Sequence, residues 1–357
     1  MSSKSDVHET RKLQITGGST YIVSLPKKWV TEMGLERGSS LTLVRKSDGT
    51  LVITPERLTA ASESLEAIID ISPTDNPETI VRKIVSAYLV GYNLICIRTK
   101  NQRLGSNQRN TIKSFARRML VGTEIIADSS NEIILKVLLS YPELSIQSAL
   151  RRICVITSSM HKDAIAALKD LDKELALDIT TMDDEVDRFS LYVIRQLKAA
   201  VQNEKILQEI GLSSGRDCLG YRLITKAIER AADHAVEIAE NIASLRTPVD
   251  AKVLALIETM STSAISVFND SVEALLKRSY ELAESVVQKA KSVALGEREL
   301  MPHILKAGDV QEASSLRLIV ESVKRTAEYA SDVAEIVLNM TIESVLREGS
   351  VKSPLNE

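Results

Sequence analysis

Chemistry in this chain concentrates in carboxylates that recur at helical spacing. Residues 227–240 read Ala-Ile-Glu-Arg-Ala-Ala-Asp-His-Ala-Val-Glu-Ile-Ala-Glu. At 100° per residue, Glu229, Asp233, Glu237 and Glu240 fall within about 80° of arc on one helix face. Like charges four residues apart cost roughly 0.2–0.5 kcal/mol per pair unless something neutralises them. One reading of such a stripe is a hydrated surface. The other is a seat for a hard cation, because carboxylate oxygens replace the lost hydration shell. Asp183, Asp184 and Asp187, in the helical stretch before it, repeat the i, i+4 spacing and bring the second reading level with the first. The ion would be divalent or trivalent; iron, manganese, magnesium and zinc stay open. His234 flanks Asp233 and reads as a surface or core histidine, while His161 and His303 have no company. No nucleophile stands near a general base, so an enzyme is not expected.

A second set of polar groups lies near the N-terminus. Arg11, Lys12, Lys27 and Lys28 are cationic, and Thr16, Ser19, Thr20 and Ser24 carry hydroxyls. Lysines supply salt-dependent attraction to phosphates, and hydroxyls can contact phosphates and bases. Lys27-Lys28 alone could equally be an exposed first helical turn; the doubled set of a dimer favours DNA. Charge is uneven along the chain: +3 over residues 1–58, +2 over 59–140 and −8 over 141–357. A basic front on an acidic back permits nucleic acid at one end and cations at the other.

The elements that must position these groups have three textures. Residues 13–16, 21–25, 41–45 and 51–54 are short β-type runs, punctuated by Gly17-Gly18 and by Ser47-Asp48-Gly49. Between them residues 26–34 read as one short helix, with Pro26 in its first turn and Gly34 at its stop. So few elements cannot enclose a core alone, and such a unit should need a second copy of itself. Residues 65–140 read as βαβαββ, an open sheet with helices on one face. The strands are placed at 67–71, 93–97, 124–127 and 133–137, and the helices at 77–89 and 107–120. The second helix carries Arg109, Lys113, Arg117 and Arg118 on roughly one face, either a solvated basic surface or a site for an anion. From residue 145 to 346 the apolar spacing is helical. Breaks near 209–215, 247–248, 296–302 and 308 give six helices in two sets of three. Segment 227–240 aligns without gaps on 322–335, at an offset of 95 residues, which points to duplication. The expected domains are residues 8–57, 60–140 and 145–346.

Aromatics make up only 3% of the residues, so the helices should pack through aliphatic side chains. Cys96, Cys154 and Cys218 are widely spaced and odd in number, which suggests neither disulfides nor a zinc ribbon and fits a reducing cytoplasm. No apolar run reaches the roughly 18 residues of a membrane span, and the polar start has no signal-peptide core, so no membrane insertion is expected.

Glu-Arg-Ala-Ala-Asp at 229–233 resembles the Glu-Arg-Ile-Gly-Asp motif of PhoU proteins, regulators of phosphate uptake. Asp-Asp-Glu-Val-Asp-Arg at 183–188 resembles that family's preceding acidic segment. The resemblance spans residues 145–346 and implies tandem three-helix bundles with metal on the bundle surface. It makes Asp183, Asp187, Glu229 and Asp233 the leading ligands, with Glu237 next. The second bundle departs from the motif, since Lys324 replaces its first acid and Glu328 its second.

Gly-Ser-Thr-Tyr-Ile-Val-Ser-Leu-Pro at 18–26, Met-Gly-Leu-Glu-Arg-Gly at 33–38 and Asp-Gly-Thr-Leu-Val-Ile-Thr-Pro at 48–55 resemble the AbrB/SpoVT family. That resemblance implies a swapped-hairpin β barrel made by two interleaved chains, and DNA binding. The two resemblances together imply a homodimeric, cytoplasmic transcription regulator of phosphate uptake whose helical part senses metal. The alternative they allow is an adaptor that acts on a phosphate transporter ATPase or a sensor kinase, with the β module only dimerising.

Overall fold

The structure is a computed structural model, and it describes residues 9–45, 49–55, 65–100, 102–138, 144–306 and 309–346. The chain divides into two compact units, Met1–Ser64 and Leu65–Glu357. The middle α/β segment and the helical segment share the second unit.

In the first unit, β1 (Gln14–Thr16) pairs antiparallel with β2 (Thr20–Ile22) across a turn in which Gly17 and Gly18 have φ of 59° and 82°. Side chains with a Cβ are strained at both positions. Helix α1 (Lys27–Glu32) follows, then the antiparallel pair β3 (Leu41–Arg45) and β4 (Leu51–Pro55). The turn expected at Ser47-Asp48 lies outside the described residues. In the single chain the two hairpins form separate two-stranded sheets, not a closed barrel. Leu13, Ile15, Tyr21, Leu43 and Leu51 are all more than half exposed, and Pro55 is the one buried residue among those described here.

The second unit opens with a four-stranded sheet in the order β5 (Glu66–Ile71), β6 (Leu94–Thr99), β8 (Glu132–Val137), β7 (Thr123–Asp128). Strands β5 and β6 are parallel, joined through α2 (Pro77–Val90); α3 (Ser106–Met119) links β6 to the β7–β8 hairpin. Asn76 starts α2 by accepting the Glu78 amide, and Pro77 occupies its first turn. Ile80, Ile84, Tyr88, Ile112 and Ala116 cover one sheet face over Ile95, Ile97, Ile133 and Leu135. This is the βαβαββ order expected from the sequence.

The helical region comprises α4 (Ile146–Asp170), α5 (Lys173–Gln202), the short α6 (Glu204–Glu209), α7 (Gly215–Ser244), α8 (Ala251–Lys277), α9 (Tyr280–Ile304) and α10 (Val310–Thr341). Each long helix begins at a Ser or Asp whose side chain accepts amides of its first turn: Ser145, Asp172, Ser214, Asp250, Ser279 and Asp309. Helices α4, α5 and α7 form one bundle and α8, α9 and α10 the other, and the two join where α7 packs along α10. Gly220 lets these helices approach: a Cβ there would sit 2.5 Å from Met340 Sδ. His161 stitches the same junction from α4. Its Nε2 lies 2.7 Å from the Ala231 carbonyl on α7 and 3.2 Å from Thr326 Oγ1 on α10.

Two expectations need correction. The break expected at 296–302 does not occur, and α9 runs through Gly296 and Pro302 to Ile304. Pro302 sits in the last turn, where it forfeits one hydrogen bond to the carbonyl four residues back and leaves few helical residues beyond it to be displaced, and Gly296 packs against Met260 of α8. Helix α6 is an additional element that leads into the break expected at 209–215. The break at Gly308 lies outside the described residues. Helix α8 is, by length and composition, apolar enough to cross a membrane; its Val253, Ile257, Ala264 and Phe268 lie in the core of the second bundle.

The middle segment is fastened to the first bundle by Arg195 of α5, which is buried. Its guanidinium donates to the carbonyls of Tyr88, Tyr92 (3.0 Å) and Gly91 (3.2 Å) and to Asn93 Oδ1 (2.7 Å). It also lies over the Tyr88 ring, 4.8 Å from the centroid.

Candidate functional site

Helices α5 and α7 pack along one another, and this seam gathers the acidic residues. Ile224, Ile228, Ala231, Ala235, Ala239 and Ile242 are wholly buried and fix the rotation of α7. That rotation turns Glu229 and Asp233 toward Asp183 and Asp187 of α5. The stripe is therefore not simply outward: Asp183, Asp187 and Glu229 are half-buried, and Asp233 opens to solvent. Lys226 pairs with Glu229. One Asp183 carboxylate oxygen, Oδ1, is buried with no hydrogen-bond partner.

Electrostatics record the crowding. Burial, then the charges of Asp187, Asp233 and Glu229, push the Asp183 carboxyl up to about 7. Burial, then Glu229 and Asp233, push Asp187 up to about 6. Asp233 is raised as well, by burial and by Glu229. Carboxylates that resist ionisation together are stabilised by a cation between them. An unpartnered buried oxygen among all-oxygen donors fits a hard ion in chemistry. Among the described residues no group of three or more His, Cys, Asp or Glu side chains is already arranged to hold one ion. Side-chain rotation, starting with release of Glu229 from Lys226, would have to accompany loading.

Glu237, also expected at this site, faces elsewhere. It lies 2.9 Å from His234 Nδ1 and accepts a hydrogen bond from Ser322 of α10 at 3.2 Å. It belongs to the junction between bundles, together with Tyr329, whose ring centroid lies 5.7 Å from that of His234. In the second bundle Lys324 pairs with Glu297 at 2.8 Å and with Glu328 at 3.9 Å, and Arg325 pairs with Glu328 at 2.7 Å. The Asp332 carboxyl is raised by burial, then by Glu335 and Glu328.

At the N-terminus Lys12, Thr16, Ser19, Thr20, Lys27 and Lys28 are all exposed; Arg11 is exposed and pairs with Glu9. They are available for contact, and nothing in the single chain orders them into one surface.

Paired helical bundles with an acidic seam follow a β module with an uncovered apolar surface. The helical region belongs to the PhoU family: residues 150–242 and 257–337 each match the PhoU domain. Residues 14–60 match MazE, a bacterial antitoxin of antidote–toxin recognition, so the first unit is of the AbrB/MazE type. Among solved structures, the phosphate transport system regulatory protein PhoU from Streptococcus pneumoniae is similar at 18% identity. The likeness covers 57% of this chain and 96% of that one, with a TM-score of 0.49. PhoU from Pseudomonas aeruginosa is similar at 17% identity over 56% and 96%, with a TM-score of 0.48. No curated protein matches the chain.

Neutralising the seam gives a direct test. The fold raises the carboxyls of Asp183 and Asp187 above their unfolded values, so it favours their protonated forms. Their contribution to stability is complete below about pH 4 and disappears as pH rises toward 7. Glu229→Gln with Asp233→Asn removes neighbouring charge. We expect the metal-free variant to lose less stability than the wild type between pH 5 and 7.5. Its gain near neutral pH should be a few tenths of a kcal/mol for each like-charge pair relieved. If the seam holds a cation, the same variant should lose it on dialysis, whereas Glu328→Gln with Asp332→Asn should keep it. Thermal melts across pH and metal content after dialysis check both; the reverse retention pattern would move the site to the second bundle.

Proposed function

We propose that this protein is a homodimeric, DNA-binding transcription regulator of phosphate uptake, working in the cytoplasm. Its PhoU region holds metal at Asp183, Asp187, Glu229 and Asp233. The observation that carries this reading is the first unit. An AbrB/MazE-type module with almost no buried residue of its own joins a PhoU region in one chain. A hairpin pair that leaves Leu13, Ile15, Tyr21, Leu43 and Leu51 in water is completed by a second copy of itself. Dimerisation doubles Arg11, Lys12, Lys27 and Lys28, and with Thr16, Ser19 and Thr20 these form the DNA-facing set. A bound cation would supply positive charge at the α5–α7 seam and tie the two helices together. The ion's identity among iron, manganese, magnesium and zinc is set by experiment.

Electrophoretic mobility shift on genomic fragments tests the reading, and its salt dependence tests the residues. If these cations meet phosphates, log affinity falls with log salt by about 0.9 per contacted phosphate. Lys27→Ala with Lys28→Ala should make the slope shallower by about 0.9 for each phosphate no longer neutralised, and should weaken all sequences alike. An unchanged slope puts the DNA-binding surface elsewhere. A full-length dimer that retards no DNA leaves the β module as a dimerisation device, and the protein as an adaptor for a transporter ATPase or sensor kinase.

A further inference from the structure

Helix α3 carries four cations that the regulator reading leaves unused. Gln108, Ile112, Ala116 and Met119 are its buried side. The opposite side presents Asn110, Lys113, Ser114, Arg117 and Arg118 around a shallow, open depression of about 540 Å³. Every one of these side chains offers a hydrogen-bond donor, and none is a carboxylate. Two acids neutralise part of the charge from outside the depression. Asp128 takes both Arg109 and Lys113, the latter at 2.8 Å, and Asp184 of α5 holds Arg118 Nε at 3.2 Å. Among the described residues Arg117 has no ion-pair partner. Four cations against two acids leave the helix surface around the depression with an excess of two positive charges.

We propose that this face of α3 binds a small, doubly charged oxyanion, a phosphate or a phosphoryl group. The naming of phosphate rests on the regulator reading; the site itself rests on its lining. Charge-assisted donors on successive helical turns suit a compact tetrahedral anion. The lining offers no carboxylate to accept a P–OH proton, so sulfate of equal charge should compete. A nucleic acid suits the face poorly, because a longer polyanion runs onto α5 with Asp183, Asp184 and Asp187. An anion that engages Arg118 draws it from Asp184, one residue from the acidic seam. The freed carboxylate deepens the negative charge there, so anion and cation should each tighten the other's binding.

Equilibrium dialysis of the metal-free full-length protein against labelled inorganic phosphate tests the site, with adenosine monophosphate in a parallel arm. Wild type should bind, and Lys113→Gln with Arg117→Gln should bind at least tenfold more weakly. Its melting temperature should not change, since Arg109 still holds Asp128. Tighter binding of the nucleotide identifies a phosphoryl-bearing metabolite as the ligand, and tighter binding of phosphate identifies the free ion. Absence of binding by wild type in both arms, or equal binding by the variant, overturns the proposal. So does a variant that loses DNA affinity while binding phosphate like wild type, since the patch would then be a nucleic-acid contact. DNA retardation by wild type is measured on the same preparation. Its failure removes the regulator reading and leaves the anion site standing on its own binding curve.

Discussion

If the first unit is the DNA-binding dimerisation module proposed above, removal of residues 1–58 should abolish DNA binding and lower the association of the remaining chain. The physical reason is the uncovered surface of the first unit. Leu13 is 67% exposed, Tyr21 66%, and Ile15 and Leu43 59% each, in strands of three to five residues. Two isolated hairpins of this size are marginal in water. Their apolar side chains gain roughly 25 cal/mol per Å² when a second copy covers them. On the proposed reading, dimerisation and ordering of the DNA-facing residues are one event, and losing the module should lose both. A milder variant separates cause from deletion. Ile15→Glu with Leu43→Glu keeps every cation yet puts charge where the second copy must pack. It should dissociate the module and lose DNA affinity by two orders of magnitude or more, because each half-site then binds alone. Sedimentation and mobility shift on one preparation decide this. A shortened chain that still retards the same DNA would sink the assignment.

Arg195→Ala should cost the second unit about 3 kcal/mol of stability. Its guanidinium replaces water for three main-chain carbonyls and one amide oxygen at the end of α2. Truncation takes this donor from the half-buried Gly91 and Tyr92 carbonyls and Asn93 Oδ1, at about 1–3 kcal/mol for each one that stays unsatisfied, while the Tyr88 carbonyl keeps the Gly91 amide. It also removes the stacking over Tyr88. Arg195→Lys should recover little, since one ammonium cannot reach acceptors spread around a planar fork. The denaturation midpoint should fall, and amide exchange should accelerate first across residues 88–94 and strand β6. Acceleration spread evenly through the bundles would show that Arg195 supports the fold generally instead of clasping the two segments.

The strands and helices of the middle segment were legible because each alternation or 3.6-residue pattern is short and bounded by Gly, Pro or Asn. The acidic seam was legible in part. Spacing places Glu229, Asp233 and Glu237 on one face, but an 80° arc is wide enough to touch two neighbours. The packing of α7 against both α5 and α10 gives Glu229 and Asp233 to one seam and Glu237 to the other. Arg195 gave no signal, because its acceptors are backbone atoms about a hundred residues earlier in the chain. His161 was hidden for the same reason, its partners being a carbonyl on α7 and a hydroxyl on α10. The uninterrupted α9 was misread because Gly and Pro punctuate a helix by propensity, whereas packing against α8 holds this one together.

Lys324 gives the duplicated bundles different relations to their surroundings. Its ammonium is covalently part of the chain and stays between Glu297 and Glu328 whatever the medium contains. The matching position in the first bundle is Glu229, whose neutralisation must come from Lys226 or from outside. On the proposed reading, the charge of one half is fixed at synthesis, while that of the other would follow the ion supply. A pair built this way would carry its own internal standard: a cation-driven change in the first bundle would meet, across the α7–α10 junction, a second bundle that stays the same.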